Sequence, residues 1–220
     1  MAIRVSKSTL GEMTGSVGNI TISKWRTLTV IRNRSSNRDK NKISEKQHKQ
    51  NEIFKLVQQP LKPIQDIIKL GYQQSKKTAM TPMNAAMSYH MLNAVIDGPE
   101  YPRIDPAKIK ISHSIWSTQN LWKPVLSASV NKRITLEWEL NPYPQKCARL
   151  DDKVIIQFYQ ENGNYFHPVI EEPARDKLRV DLTFARFAIG LPFHAYLFVV
   201  SADGKLVSPT AYLGMVTVLP

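Results

Sequence analysis

At 220 residues with 42% apolar side chains, the chain is long enough for one large domain or two small ones and too apolar to be disordered throughout. Its single cysteine, Cys147, excludes an intramolecular disulfide and a thiolate metal cluster. Apolar runs such as residues 195–200 fall far short of the roughly 20 residues that a membrane-spanning helix needs. The net charge of +12 is lopsided: eleven Lys or Arg face three acids in residues 1–50, whereas eleven face ten in residues 111–220. The positive field is a property of the N-terminal end.

Arg4 and Lys7 are followed by no apolar h-region, so the start does not read as a secretory signal, and synthesis is expected to end in the cytoplasm. Gly11, Gly15 and Gly18 read as turn glycines ahead of two alternating β-branched runs, 20–24 and 28–32, which predict a hairpin. An isolated two-stranded hairpin is marginal in water. Its apolar residues Ile20, Ile22, Trp25, Leu28 and Val30 are therefore the candidate subunit interface.

Residues 32–51 are polar, basic and free of aromatics, which predicts an exposed arm at least to Lys42. A helix is expected from Ser44, where Ser44 and Gln47 have the spacing of a capping box and Ile53, Phe54 and Val57 share a face; Pro60 ends it. A second helix fits 61–70, with Pro63 in its first turn, Ile64, Ile67 and Ile68 at helical spacing, and Gly71 as the stop. A third starts with Thr81 as cap and Pro82 at the first helical position. Its stripe of Met83, Ala86, Met87, His90, Met91, Ala94 and Val95 reads as core packing, and Gly98-Pro99 closes it.

Beyond Pro99 the texture changes to prolines and short strands, expected at 108–112, 125–130, 134–140, 153–160, 165–170, 178–183, 194–201 and 210–218. The fold class is thus α+β: an N-terminal β-hairpin and helical segment followed by an antiparallel immunoglobulin/fibronectin III-like β-sandwich. The shift in charge and pattern suggests a boundary, with 1–107 as the basic hairpin, arm and helices and 108–220 as the sandwich.

In the order and character of its strands, 125–218 resembles a fibronectin type III domain. Trp138 looks like the buried tryptophan of that fold's second strand, and Tyr196, followed by a turn and Ser208-Pro209, looks like the tyrosine of its sixth. Over nearly its whole length the chain also resembles a family of uncharacterised Bacteroidetes proteins. The marks are residues 15–19 before Lys24-Trp25, the strand end at 30–32, residues 84–89 on a helix, 109–112, and Tyr196 through 201–205 to 212–214. One departure is Ser112-His113-Ser114 where the resemblance implies Ser-x-Gly. Both resemblances imply a fold and neither implies an activity.

Catalytic, cofactor-binding and metal residues are not identified. His48, His90, His113, His167 and His194 form no metal-ligand motif, and His90 on the methionine stripe reads as a helix residue rather than a ligand. Ser16 between Gly15 and Gly18 lies in neither a nucleophile elbow nor a phosphate-binding loop. The adjacent pairs Asp151-Asp152 and Glu171-Glu172 would diverge in a strand, and Cys147 between Lys146 and Arg149 lacks a histidine partner. The direct-contact feature is the cation cluster: Lys24, Arg26 and then Arg32, Arg34, Arg38, Lys40, Lys42, Lys46 and Lys49, enough to neutralise several phosphates of a nucleic acid without reading sequence. The expected function is a non-catalytic structural or assembly subunit, of a phage, virion or phage-like particle, with protein subunits as partners. The alternative is a sequence-nonspecific nucleic-acid-binding accessory protein using the basic arm.

Overall fold

The computed structural model describes residues 3–5, 14–25, 28–34, 43–73, 80–96, 98, 101–114 and 117–220. Two compact units divide it, residues 1–49 with 77–80 and residues 50–76 with 81–220.

The first unit holds a four-stranded antiparallel sheet of β1 (Ile3–Val5), β2 (Gly15–Val17), β3 (Ile20–Trp25) and β4 (Leu28–Asn33), in the order β1-β4-β3-β2. The expected hairpin is present as β3–β4, with Trp25 opposite Leu28 and Ile22 opposite Ile31. Two three-residue strands flank it, so the element is larger than the hairpin that alternation alone predicts. Strands this short carry almost no periodic signal. β2 joins β3 through Gly18-Asn19, and Gly18 takes φ +56°, a left-handed value that a tight two-residue hairpin requires.

The helices begin where local chemistry dictates. Helix α1 (Glu45–Leu61) opens on the reciprocal capping box: the Gln47 N–H donates to Ser44 Oγ (3.4 Å) and the Ser44 N–H to Gln47 Oε1 (3.1 Å). It runs one residue past Pro60. The second helix, α2, covers Gln65–Gly71 rather than starting at 61, because Pro63 cannot continue the helical ladder and residues 62–64 form a turn. Helix α3 (Pro82–Asn93) is capped by Thr81, whose Oγ1 accepts the Asn84 N–H at 3.1 Å. A two-stranded ribbon of β5 (Val95–Ile96) and β6 (Arg103–Ile104) follows.

Seven strands complete the chain: β7 (Trp122–Ser129), β8 (Arg133–Glu139), β9 (Lys153–Gln160), β10 (Tyr165–His167), β11 (Arg179–Thr183), β12 (Pro192–Val200) and β13 (Ala211–Thr217). They form two antiparallel sheets, β11-β8-β7 and β10-β9-β12-β13. One core lies between them, built from Ile134, Leu136 and Trp138 of β8, Val154, Ile156 and Phe158 of β9, Leu182 of β11, and Phe193, Ala195, Leu197 and Val199 of β12. The alternate residues of the four-stranded sheet, Ile155, Tyr159, Phe166, Tyr196, Phe198 and Val200, form a second core with Val57, Leu61, Ile68, Ala86 and Met87 of the helices. With both faces covered, β9 and β12 read as continuous apolar runs. The protein is thus a mixed α+β chain whose sheets are antiparallel.

Two sequence expectations meet a different arrangement here. The division at 107/108 falls inside the second compact unit, because the helices bury the outer face of the sheet that the later strands build. Residues 108–112 are not a strand. Residues Pro106–Lys108 make a turn of 3₁₀ helix capped by Asp105, and the following segment is held chiefly by side chains. The Lys110 N–H donates to His90 Nε2 (3.2 Å), the Lys110 carbonyl accepts the Tyr72 hydroxyl (2.9 Å), and the Ser112 N–H donates to Thr210 Oγ1 (2.8 Å). Gly71 abuts this segment so closely that a Cβ there would meet the Ile111 carbonyl oxygen at 2.1 Å.

Candidate functional site

The expected interface residues do not share one face. In β3 and β4 successive side chains alternate, and partners across the ladder lie on the same side. The register pairs Ile22 with Ile31 and Ile20 with Asn33 and Val17, placing Ile20 and Ile22 on one face. It pairs Ser23 with Val30 and Trp25 with Leu28, so Trp25, Leu28 and Val30 occupy positions on the other. The first face is the more apolar. Val17 is 69% exposed and Ile20 44%, while Ile22 and Ile31 are half-buried. The second face carries Ser16, Thr21 and Arg32 in one row across three strands, with Ser16 Oγ and Thr21 Oγ1 3.3 Å apart. Trp25 is 46% exposed.

The cations expected to meet nucleic acid are only partly placed. Arg32 and Arg34 are exposed at the end of β4, and the Arg34 N–H continues the ladder by donating to the Asn19 carbonyl at 2.7 Å. Being two residues apart along an extended chain, they lie on the face opposite Ile20 and Ile22. Lys46 and Lys49 are exposed in the first turns of α1. Arg38, Lys40 and Lys42 lie outside the described residues.

The histidines are dispersed. His90 is buried between Ala86, whose carbonyl accepts from its Nδ1 at 2.7 Å, and the Lys110 N–H, which donates to its Nε2 at 3.2 Å. With both nitrogens engaged the ring is neutral, and burial lowers its pKa from 6.5 to about 4. His167 stacks on Phe184, and burial lowers its pKa as well. The His194 Nδ1 lies 2.8 Å from the Tyr212 hydroxyl. Among the described residues no group of three His, Cys, Asp or Glu could hold a metal ion, and no helix is long and apolar enough to cross a membrane.

One feature was not visible in the sequence. Asp151 is exposed, whereas Asp152 is fully buried and ties four segments together. Its Oδ2 accepts from Arg175 Nη2 (3.2 Å), the Arg149 N–H (3.1 Å) and the Thr118 hydroxyl (3.3 Å), and its Oδ1 accepts the Ala202 N–H (3.3 Å). Arg175 also donates to the carbonyls of Asn120 (3.1 Å) and Gln119 (2.5 Å), while its own carbonyl accepts the Trp138 indole N–H (2.7 Å). Beside this pair opens a cleft of about 340 Å³ walled by Leu140, Pro144, Ala148 and Leu150. Nothing in the spacing of Asp152 and Arg175 announces the pair, since it joins residues 23 apart across two loops.

No curated protein matches the chain. A family model does, over residues 12–214, which takes in β2 to β4 of the N-terminal sheet, helices α1 to α3 and the later strands up to all but the end of β13. The chain therefore belongs to DUF6266, a family of unknown function.

Proposed function

We propose that the protein is a non-catalytic assembly subunit that joins another protein chain through its N-terminal sheet, in a phage-like or other large particle. The observation that carries this reading is the apolar face formed by Val17, Ile20, Ile22 and Ile31, with Val17 and Ile20 exposed on adjoining strands. Contiguous exposed apolar surface of this kind is characteristic of association sites. For the seven-stranded part we propose a fibronectin type III-like sandwich. Its support is the strand order, with the first, second and fifth strands in one sheet and the third, fourth, sixth and seventh in the other.

A photo-crosslinking residue at position 20, introduced into the full chain in the producing cell, tests the first reading. Adducts to a second polypeptide are expected, and adducts confined to the same chain overturn it. A second reading, backbone-directed nucleic-acid binding, is favoured by Arg32 and Arg34 being exposed on the sheet face away from the apolar one. Under that reading affinity for any duplex falls steeply with salt and drops further in Arg32→Gln/Arg34→Gln. Absence of binding at low salt removes it.

A further inference from the structure

We propose that the cleft beside Arg175 is a binding site for a small, partly apolar ligand bearing a single carboxylate. Its walls and its charges point to the two halves of such a ligand. Leu140, Pro144, Ala148 and Leu150 line it, and Leu140 and Leu150 remain 49% and 58% exposed, so an aliphatic body would cover surface now facing water. A volume of about 340 Å³ is at the small end of ligand pockets.

The charge balance in the cleft is positive and incomplete. Arg175 lines it with a side chain only 9% exposed, and its Nε–H is buried without a hydrogen-bond partner. The Nε–H itself is closed to solvent, so what Arg175 offers a ligand in the cleft is the charge of its guanidinium, and an ionised acceptor is the partner that suits it best. Arg149 lines the same cleft, is exposed, and has no ion-pair partner among the described residues. The one acid in the lining, Glu139, is held by Lys123 at 3.1 Å. Because Asp152 already offsets one charge of Arg175, the net excess suits a monoanionic carboxylate better than a phosphate dianion.

The walls are also held in place before any ligand arrives. The Gln145 N–H donates to Gln119 Oε1 (3.1 Å), the Tyr143 N–H to Asn141 Oδ1 (2.8 Å), and the Arg149 N–H to Asp152 Oδ2 (3.1 Å). A preorganised loop of this kind lowers the cost of binding.

The test uses the purified full chain, with binding followed by chemical-shift perturbation. The probes are hexanoate, N-acetyl-leucine, N-acetyl-leucinamide, inorganic phosphate, and a hexapeptide ending in leucine with a free or an amidated C-terminus. Carboxylate probes are expected to perturb Ala148, Leu150 and Arg175, with the amides at least tenfold weaker and phosphate without effect. Arg149→Gln should weaken the carboxylates about tenfold, and Ala148→Phe, which fills the cleft while leaving the Asp152–Arg175 pair intact, should abolish binding. Preference for the free acids assigns the site to a small metabolite, and preference for the free-ended peptide assigns it to a protein C-terminus; either upholds it. Equal binding of acid and amide, insensitivity to Arg149→Gln, or no carboxylate binding at millimolar concentration overturns it.

Discussion

His90 shows how a residue with a reactive reputation becomes structural. Its ring spans from the Ala86 carbonyl to the Lys110 N–H, so it joins α3 to the segment that leads into the strands. Because its folded pKa is lowered to about 4 from 6.5, the unfolded chain takes up a proton at a higher pH than the folded chain does. The contribution is complete above about pH 6.5 and is lost as pH falls toward about 4, to a total of about 3 kcal/mol. Urea denaturation across that interval should show this decline, and His90→Gln should flatten it while lowering stability at neutral pH. A decline of the same size in the variant would assign the effect to other groups. Trp138 is the second residue that matters beyond its own volume. It is 4% exposed in the core between the sheets, and its indole N–H is satisfied by the Arg175 carbonyl at 2.7 Å. Trp138→Ala should cost about 3–5 kcal/mol by chemical denaturation, as for other buried aromatics. A cost below about 1 kcal/mol would show that the ring is not part of the core.

Among the elements, the segment from Pro106 to Ser112 carries the connection between helices and strands without forming a strand itself. Ile109 and Ile111 are buried, and the backbone from Lys110 to Ser112 is held by Tyr72, His90 and Thr210. The His113 N–H then donates to the Gly71 carbonyl at 3.0 Å. Gly71 therefore has a role beyond stopping α2: it lets this backbone approach. Gly71→Ala would press a Cβ to 2.1 Å from the Ile111 oxygen and 2.9 Å from the Ser112 Cα, both backbone atoms with little room to move. The expected cost is about 1–3 kcal/mol, accompanied by faster hydrogen exchange of the Lys110, Ser112 and His113 amides. Unchanged exchange there would show that the contact relaxes without penalty. Ser112 adds a further anchor, its hydroxyl donating to the Ser208 carbonyl at 2.8 Å.

For the molecule as a whole, the four-stranded sheet β10-β9-β12-β13 belongs to two cores at once, one toward the three-stranded sheet and one toward the helices. Removing residues 1–107 would strip the helices and bare Ile155, Tyr159, Phe166, Tyr196 and Phe198. At about 25 cal/mol per Å² of apolar surface, losing several such side chains outweighs the stability margin of an ordinary domain. A chain of residues 108–220 is thus expected to aggregate or to bind a hydrophobic dye without a cooperative melt, whereas residues 43–220 should melt cooperatively. Cooperative unfolding of 108–220 as a monomer would show that the strands need no helical layer. The elements that could be read directly were those written in short-range chemistry: the Ser44–Gln47 and Thr81–Pro82 helix starts, the turn glycine Gly18, the alternating runs of β3, β4 and β8, and the continuous apolar runs of β9 and β12. Each depends on residues within about four positions, where backbone geometry and side-chain reach settle the outcome. The sheet order, the covering of β9 and β12 on both faces, and the Asp152–Arg175 cleft depend on contacts between distant segments. Such contacts arise from packing and loop closure over the whole chain, which local pattern does not encode.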